Sequence, residues 1–506
     1  MSWPTPGGAR ELAAFEKLQA RLPKLFRKVF SDPLAPRTVL AVPALTMDHE
    51  VLARVVGGQH YEERQLTMLM LLRLPNTRII YVSSMPIEPT IIDYYLNQLP
   101  GVPGRHARQR LTLLSASDSS PVTLTRKILD RPRLLAKIRD AIGDPALAHM
   151  SCFNVTECER TLAVRLGIPL YGCDPQLLYL GTKSGSRKAF REAGIDLPDG
   201  HEDLRDPDDI AESLAVLKQR SPDLSRAVVK LNDGFSGEMN AVFSYTGCPG
   251  GNPTAWIKAH LPLNLAFEAR DMRWEKYVEK LTEMGGIVEE WIPGSGLRSP
   301  SVQMRVTPIG KLEMISTHDQ ILGGPSGQIF QGSTFPADAA YAKEIQALSS
   351  KAGKVFQRKG VLGRFGVDFV SVKRNNRWKH FAIEVNLRKG GTTHTYQTLQ
   401  LLTNGKYDPR KAEFHTPTGQ LRAYYATDNL INPLYRRLTP DDLIDISVQH
   451  GIHFDQTSQQ GVVFSVIGAL PRYGKLGVIA IAQDTVKARA MFNRAVDTLD
   501  AEAAKD

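Results

Sequence analysis

The sequence predicts an α/β protein of three parts: an N-terminal parallel-sheet domain over 1–174, a core of two α+β subdomains over 175–415, and a small C-terminal α+β domain over 416–506. Three observations carry this. The first third alternates apolar strand-like runs with helical stretches, the βαβ pattern of a parallel sheet. The middle changes to strands separated by glycine-rich loops. The last 90 or so residues hold two apolar segments and a closing helix, and a chain of 506 residues is long enough for about three domains with their own cores.

An amphipathic helix opens the chain, with Leu12, Phe15, Leu18, Leu22 and Leu25 at three- and four-residue steps. Strands are expected at 38–45, 77–84, 110–117 and 148–154, and helices at Glu62–Arg73, Thr90–Gln98 and Thr123–Ala141. Thr156 and Glu159 have capping-box spacing at the start of the next helix, which Gly167 and Pro169 end. No G-x-G-x-x-G follows any of these strands, so a Rossmann dinucleotide site has no support. In the last part the apolar segments are Gly461–Leu470 and Lys475–Ile481, followed by a helix near Thr485–Leu499.

Composition excludes several classes. The four cysteines, Cys152, Cys158, Cys173 and Cys248, form no C-x-x-C pair, which fits a reducing compartment and argues against a structural zinc site. The N-terminus lacks the apolar core of a signal peptide, and stretches such as Leu66–Leu72 fall far short of a bilayer span, so a cytoplasmic protein with no membrane partner is expected. The net charge of +10 is dispersed without a basic tract, so no nucleic-acid partner is expected and a phosphorylated small ligand accounts for it equally well.

The strongest chemical signal lies between Arg364 and His394. Strand side chains alternate faces, so Val367 and Phe369 lie opposite Asp368, and Ile383 and Val385 lie opposite Glu384 and Asn386. Antiparallel pairing of Val367 with Val385 and Phe369 with Ile383 sets Asp368 across from Glu384. That register needs a connection of three or five residues. Two carboxylates and an amide oxygen on one face are hard ligands that suit Mg²⁺, which draws its remaining ligands from water and phosphate.

Three further elements precede this hairpin. Lys183 opens a helix-like run. Lys230 ends the strand RAVVK before the loop Asn232–Met239, whose Gly234, Ser236 and Gly237 suit a cradle of backbone N–H groups around a polyphosphate. GGIVEEWIPG runs apolar to Glu289 and Glu290 and stops after Ile292, so Glu289–Ile292 has the form of an extended hinge offering backbone groups and a carboxylate to the edge of an adenine.

The order lysine, lysine with glycine loop, E-x-W-x hinge, then D…E-x-N resembles the ATP-grasp superfamily of carboxylate–amine ligases over about 175–415. The N-terminal sheet stands where a pre-ATP-grasp domain would. The segments EVNLRKGGTTH and GVVFSVIGALPRYGKLGV look more specifically like the pheganomycin-type peptide ligases. The resemblance implies that Lys183 and Lys230 serve the nucleotide, Glu289 and Ile292 face adenine, and Asp368, Glu384 and Asn386 hold magnesium, with Glu384 bridging two ions. Mn²⁺ would be an admissible substitute. It implies further that Arg388 stabilises a phosphorylated intermediate. One departure is that Gly294-Ser295-Gly296-Leu297 offers no acid for the ribose hydroxyls.

The activity so implied is ATP-dependent joining of a small carboxylic acid and an amine, amino acids or short peptides, through an acyl phosphate. A kinase on the same scaffold, or a non-catalytic nucleotide- or nucleic-acid-binding protein, are the alternatives. Residues 316–324 with Gln331 and Arg388 are the expected acid-binding wall, His318 is a candidate base, and Gly390–Thr393 before His394 is a candidate helix start facing an anion. The loop Asn232–Met239 is expected to move in the absence of ATP. A homo-oligomer is compatible with the sequence, which leaves the assembly open.

Overall fold

The computed structural model describes residues 3–46, 55–234, 237, 239–294 and 296–505. The four expected N-terminal strands form at Arg37–Val42 (β1), Thr77–Ser83 (β2), Leu111–Ser115 (β3) and Ala148–Cys152 (β4), in the parallel order β3-β2-β1-β4. Two expected helices are each broken in two. The opening one runs Ala9–Gln19 and then Leu22–Ser31, with Pro23 in the first turn of the second piece. The stretch after Thr123 runs Leu124–Leu129 and Pro132–Ile142. A proline ring has no N–H and collides with the carbonyl four residues earlier, so each restarts a helix rather than continuing one. Thr156 and Glu159 make the expected capping box.

Glu62–Arg73 is not an α-helix but part of a 3₁₀ helix, Gly58–Arg73. Residues three apart eclipse in that geometry. Tyr61 and Arg64 therefore stack, the Arg64 guanidinium carbon lying 4.0 Å from the Tyr61 ring centre.

The middle of the chain builds two antiparallel sheets. The smaller contains β5 (Gly200–Leu204), β6 (Arg226–Leu231), β7 (Asn240–Ser244), β8 (Leu265–Phe267) and β9 (Gly286–Glu290), in the order β5-β9-β6-β7-β8. The helix Pro207–Arg220 covers it through Ile210, Leu214 and Leu217, which pack with Val229 and Phe243. The larger begins with β10 (Pro300–Val306), β11 (Leu312–Gly323), β12 (Ile329–Phe335), β13 (Gly363–Arg374) and β14 (Arg377–Asn386). Its apolar face, including Val302, Phe365, Val367 and Val385, packs on the helices Ala342–Arg358 and Lys183–Ala193.

After a short ribbon, β15 (Lys406–Asp408) with β16 (Glu413–His415), the C-terminal part supplies β17 (Ala423–Ile431), β18 (Gly461–Ser465) and β19 (Lys475–Ala482). These extend the larger sheet to eight strands, β14-β13-β10-β11-β12-β17-β19-β18, so the expected boundary at 415/416 falls inside one hydrogen-bonded sheet. All residues of β18 and β19 are buried. One core joins Val39 and Tyr81 of the N-terminal domain to Phe464 and Ile481 of this part.

The β13–β14 turn departs from expectation. Val367 faces Val385 and Asp368 faces Glu384, as the pattern required, but Phe369 faces Ala382 and not Ile383. Ile383 is a bulge residue. The extra residue shifts the register by one, so the strands close with a two-residue turn, Asn375-Asn376, in place of three or five. Both asparagines have positive φ, 48° and 60°, as a type I′ hairpin requires. Asn376→Val should cost about 1–2 kcal/mol in urea unfolding, because a branched Cβ crowds the left-handed region, while Asn376→Gly should be near neutral.

Candidate active site

The bulge shapes the site. Asp368 and Glu384 stay opposite each other while Ile383, expected on the apolar face, lines the same cleft as Glu384. The Asn386 amide nitrogen donates to Asp368 Oδ2 at 3.0 Å, which leaves its oxygen for another partner. Lys183, first residue of its helix, reaches Glu384 Oε2 with its ammonium at 2.7 Å. Burial, and after it the charge of Glu384, pushes the Asp368 carboxyl up to about 6. Burial works to raise Glu384 as well, but the Lys183 ammonium overrides it and holds Glu384 below the ordinary carboxylate range. Two facing carboxylates under this strain, with an amide oxygen beside them, fit a divalent cation.

Asp368, Ile383, Glu384 and Asn386 line a cavity of about 990 Å³ between the sheets, a volume suited to a nucleotide with substrate; Lys183, paired with Glu384, is not part of its lining among the described residues. Val228 lines the cavity from the smaller sheet, Val370 and Ile383 from the larger, and Ile292 from the connection after β9, giving that part of the wall an apolar character. The chain leaves the sheet at Trp291, after Glu290 and Trp291 have spent their N–H groups on the carbonyls of Asp199 and Arg226.

Glu289 also lines the cleft, with its carboxylate engaged by two cations. It is buried, pairing with the Lys230 ammonium and accepting from Arg187 Nη1 at 3.2 Å. Lys230 itself lines the cleft, as do Glu290, Ile292, Asn386 and Arg388. Glu290 accepts from the backbone N–H of Asp199 at 3.1 Å.

Of the glycine loop, Gly237 lines the cleft and Gly234 does not; Ser236, with residues 235 and 238, lies outside the described residues, as does much of the expected motion of Asn232–Met239. Gly237 has φ +84° and its missing Cβ would lie 2.5 Å from the Gln328 carbonyl, so only glycine lets this loop meet the β11–β12 connection. Asn240 Nδ2 donates to Gln328 Oε1 at 3.0 Å in the same contact.

His318 is a correction. It is fully buried outside the cleft, its Nε2 paired with Ser316 Oγ at 2.8 Å and its Nδ1 with Tyr424 OH at 3.1 Å, so it has no access to a reacting group. Strand alternation does not explain this, since His318 and Gln320, two residues apart, share a face of β11; Gln320 reaches the cleft, whereas the Phe335 and Tyr424 rings pack against His318 and close it off. Gln331 lies behind the wall, accepting from Asn429 Nδ2 at 3.1 Å. The helix start is as expected: Gly390, Gly391 and Thr392 line the cleft at the N-terminus of Gly391–Thr403, with His394 buried behind.

Burial pushes both His318 and His394 down to about 3. The unfolded chain binds those protons near pH ~6.5, so stability falls as pH drops below it, by about 1.4 kcal/mol per unit for each ring. Glu62, raised by burial to about 7, opposes this because its folded form holds the proton. Thermal melts from pH 7 to 5 should therefore fall less steeply for His318→Asn than for the parent.

The N-terminal domain and the C-terminal strands also reach the cleft, through Tyr61, Arg64, Phe153, Asp428 and Lys475. No spacing in the sequence marks them, because each comes from an element that reads as ordinary core.

Residues 175–246 and 255–410 match the family described as IQCH-like, ATP-grasp, and residues 442–495 match the PGM1 C-terminal domain. The segment 175–410 thus matches an ATP-grasp family. Over 91% of its length it is 27% identical to 94% of an L-propargylglycine–L-glutamate ligase of Streptantibioticus cattleyicolor. It is 24% identical over 98% of its length to IQ motif-containing protein H of Danio rerio, and spans about half (51%) of that protein. Its fold is that of the biotin carboxylase domain of the Hydrogenobacter thermophilus 2-oxoglutarate carboxylase (TM-score 0.54, 12% identity, 91% of this chain and 90% of that one). The biotin carboxylase of Campylobacter jejuni is similar as well (TM-score 0.52, 13% identity, 92% of each chain). Among the described residues, no helix is long and apolar enough to cross a membrane.

Proposed function

We propose that the protein is an ADP-forming ligase that joins a carboxylic acid to an amine through an acyl phosphate, with amino acids or short peptides on both sides. The facing carboxylates of Asp368 and Glu384 in the wall of the cleft, with the Lys183 ammonium paired to Glu384, are the observation that carries it. The Streptantibioticus relative, a ligase of two amino acids by its name, supports the substrate class.

A carboxylate is a poor acylating agent because its oxygen leaves badly, and transfer of the ATP γ-phosphoryl group to that oxygen makes it a leaving group. In this chain Val228, Ile292, Val370 and Ile383 would clasp the base, and Lys230 would lie along the phosphates. Asp368, Glu384 and Asn386 would hold Mg²⁺, which when bound supplies neutralising charge to phosphate oxygens. Arg388, on the far side of Asn386, would face the transferring group and offset its charge. Gly237 against Gln328 closes the wall that keeps water from the acyl phosphate.

With acid and amine pools and ATP, phosphate release should require both an acid and an amine. One oxygen from an ¹⁸O-labelled carboxylate should appear in that phosphate. Label retained wholly in the acid and its product would sink the acyl phosphate, and phosphate carried on a substrate hydroxyl would make the protein a kinase.

A further inference from the structure

We propose that Arg64 recognises the carboxylate that the amine substrate keeps after ligation, so that the protein selects α-amino acids over simple amines as acceptors; the inference rests on the ligase reading above. Arg64 comes from the N-terminal domain, yet it lines the cleft of the ATP-grasp core. It is 3% exposed and held from several sides. Its guanidinium lies over Tyr61 at 4.0 Å and 5.0 Å from the Phe153 ring centre, its Nη1 donates to Asp428 Oδ2 at 2.9 Å, and its Nε donates to the Tyr61 carbonyl at 3.4 Å. Nη2 has no hydrogen-bond partner among the described residues. A guanidinium so fixed is a preorganised fork for a carboxylate.

Its position says whose carboxylate. Arg388 lies 5.9 Å from the same Phe153 ring and within the field of Glu384, Asp368 and Arg64. In space the order is therefore cation seat, Arg388, Arg64. The acid's reacting carboxylate belongs at the first two, where the phosphoryl group arrives, and it is consumed as the amide forms. An anion one step farther out belongs to the partner that still has a carboxylate when the bond is made. Charge agrees: among the described residues Arg64, Arg388 and Lys475 gather around Tyr61 and Phe153 in the cleft wall, with Asp428 on Arg64, a setting that favours an incoming anion. Asp428 then acts as a positioning residue, holding Arg64 in place through one nitrogen.

The test offers the twenty common L-amino acids as acceptors, each beside its α-carboxamide, with hydroxylamine as an acceptor that has no carboxylate and traps the acyl phosphate as hydroxamate. The parent should prefer amino acid to carboxamide, and Arg64→Gln should lower the ratio of dipeptide to hydroxamate kcat/KM by roughly 10- to 100-fold, the loss expected for a charged hydrogen bond. It should act mainly through the KM for the amino acid. Arg64→Lys, which keeps a cation beside Asp428, should fall between the two and guards against a variant that does not fold. Equal losses toward dipeptide and hydroxamate, or no preference in the parent, would overturn the proposal while leaving the ligase reading intact. So would a loss confined to donors with a second carboxylate, aspartate against asparagine, because the anion would then be the donor's. A parent that forms neither product with any acid would remove the ligase reading, and this proposal with it.

Discussion

Glu384→Ala is expected to lower turnover about a thousandfold or more, measured as phosphate release with saturating ATP, acid and amine. Glu384 faces Asp368 across the strand pair and accepts from the Lys183 ammonium at 2.7 Å, so one side chain would serve the proposed cation seat and also hold Lys183. Alanine removes the ligand and leaves Lys183, which is 8% exposed, without its carboxylate. Glu384→Gln, which keeps the shape and loses the charge, should fall in the same direction and raise the Mg²⁺ concentration needed for half-maximal rate. Near-parental rates in either variant would show that the cation is held elsewhere.

The second large effect is on stability. Glu289 is 3% exposed and binds two cations, Lys230 and Arg187. Glu289→Leu would leave both facing each other in the interior of the smaller sheet, with Glu202 near Arg187 as the remaining acid, and should cost about 3–5 kcal/mol in denaturant unfolding. Glu289→Gln, which still accepts hydrogen bonds, should cost less. A Glu289→Gln protein of parental stability whose KM for ATP alone had risen would support the hinge reading, in which that carboxylate serves the base.

Much of the site was legible because a strand has a period of two. Once Val367 and Val385 must both be buried, Asp368 and Glu384 can only share the opposite face, and the structure pairs them directly. Ile383 escaped that reasoning. A bulge inserts one residue without altering the pattern of types around it, so periodicity assigned it to the core and parity assigned the turn an odd length. His318 failed for a different reason: it shares a face with Gln320, but the packing of Phe335 and Tyr424 against it, which no local pattern announces, removes its access. The break of two helices at Pro23 and Pro132 was readable in principle, from proline's lack of an N–H.

The amino-acid sequence alone determined the local pieces: strands, caps, the facing carboxylates and the order of lysine, glycine loop and hinge, because each depends on neighbours within a few residues or on a two-residue alternation. Only the tertiary structure decided that Glu384 meets Lys183 while Glu289 meets Lys230 and Arg187, and that Arg64 enters the cleft beside Asp428, 364 positions away along the chain. Contacts of that kind are set by how separate sheets pack and share a core, and packing leaves no periodic trace in the order of residues.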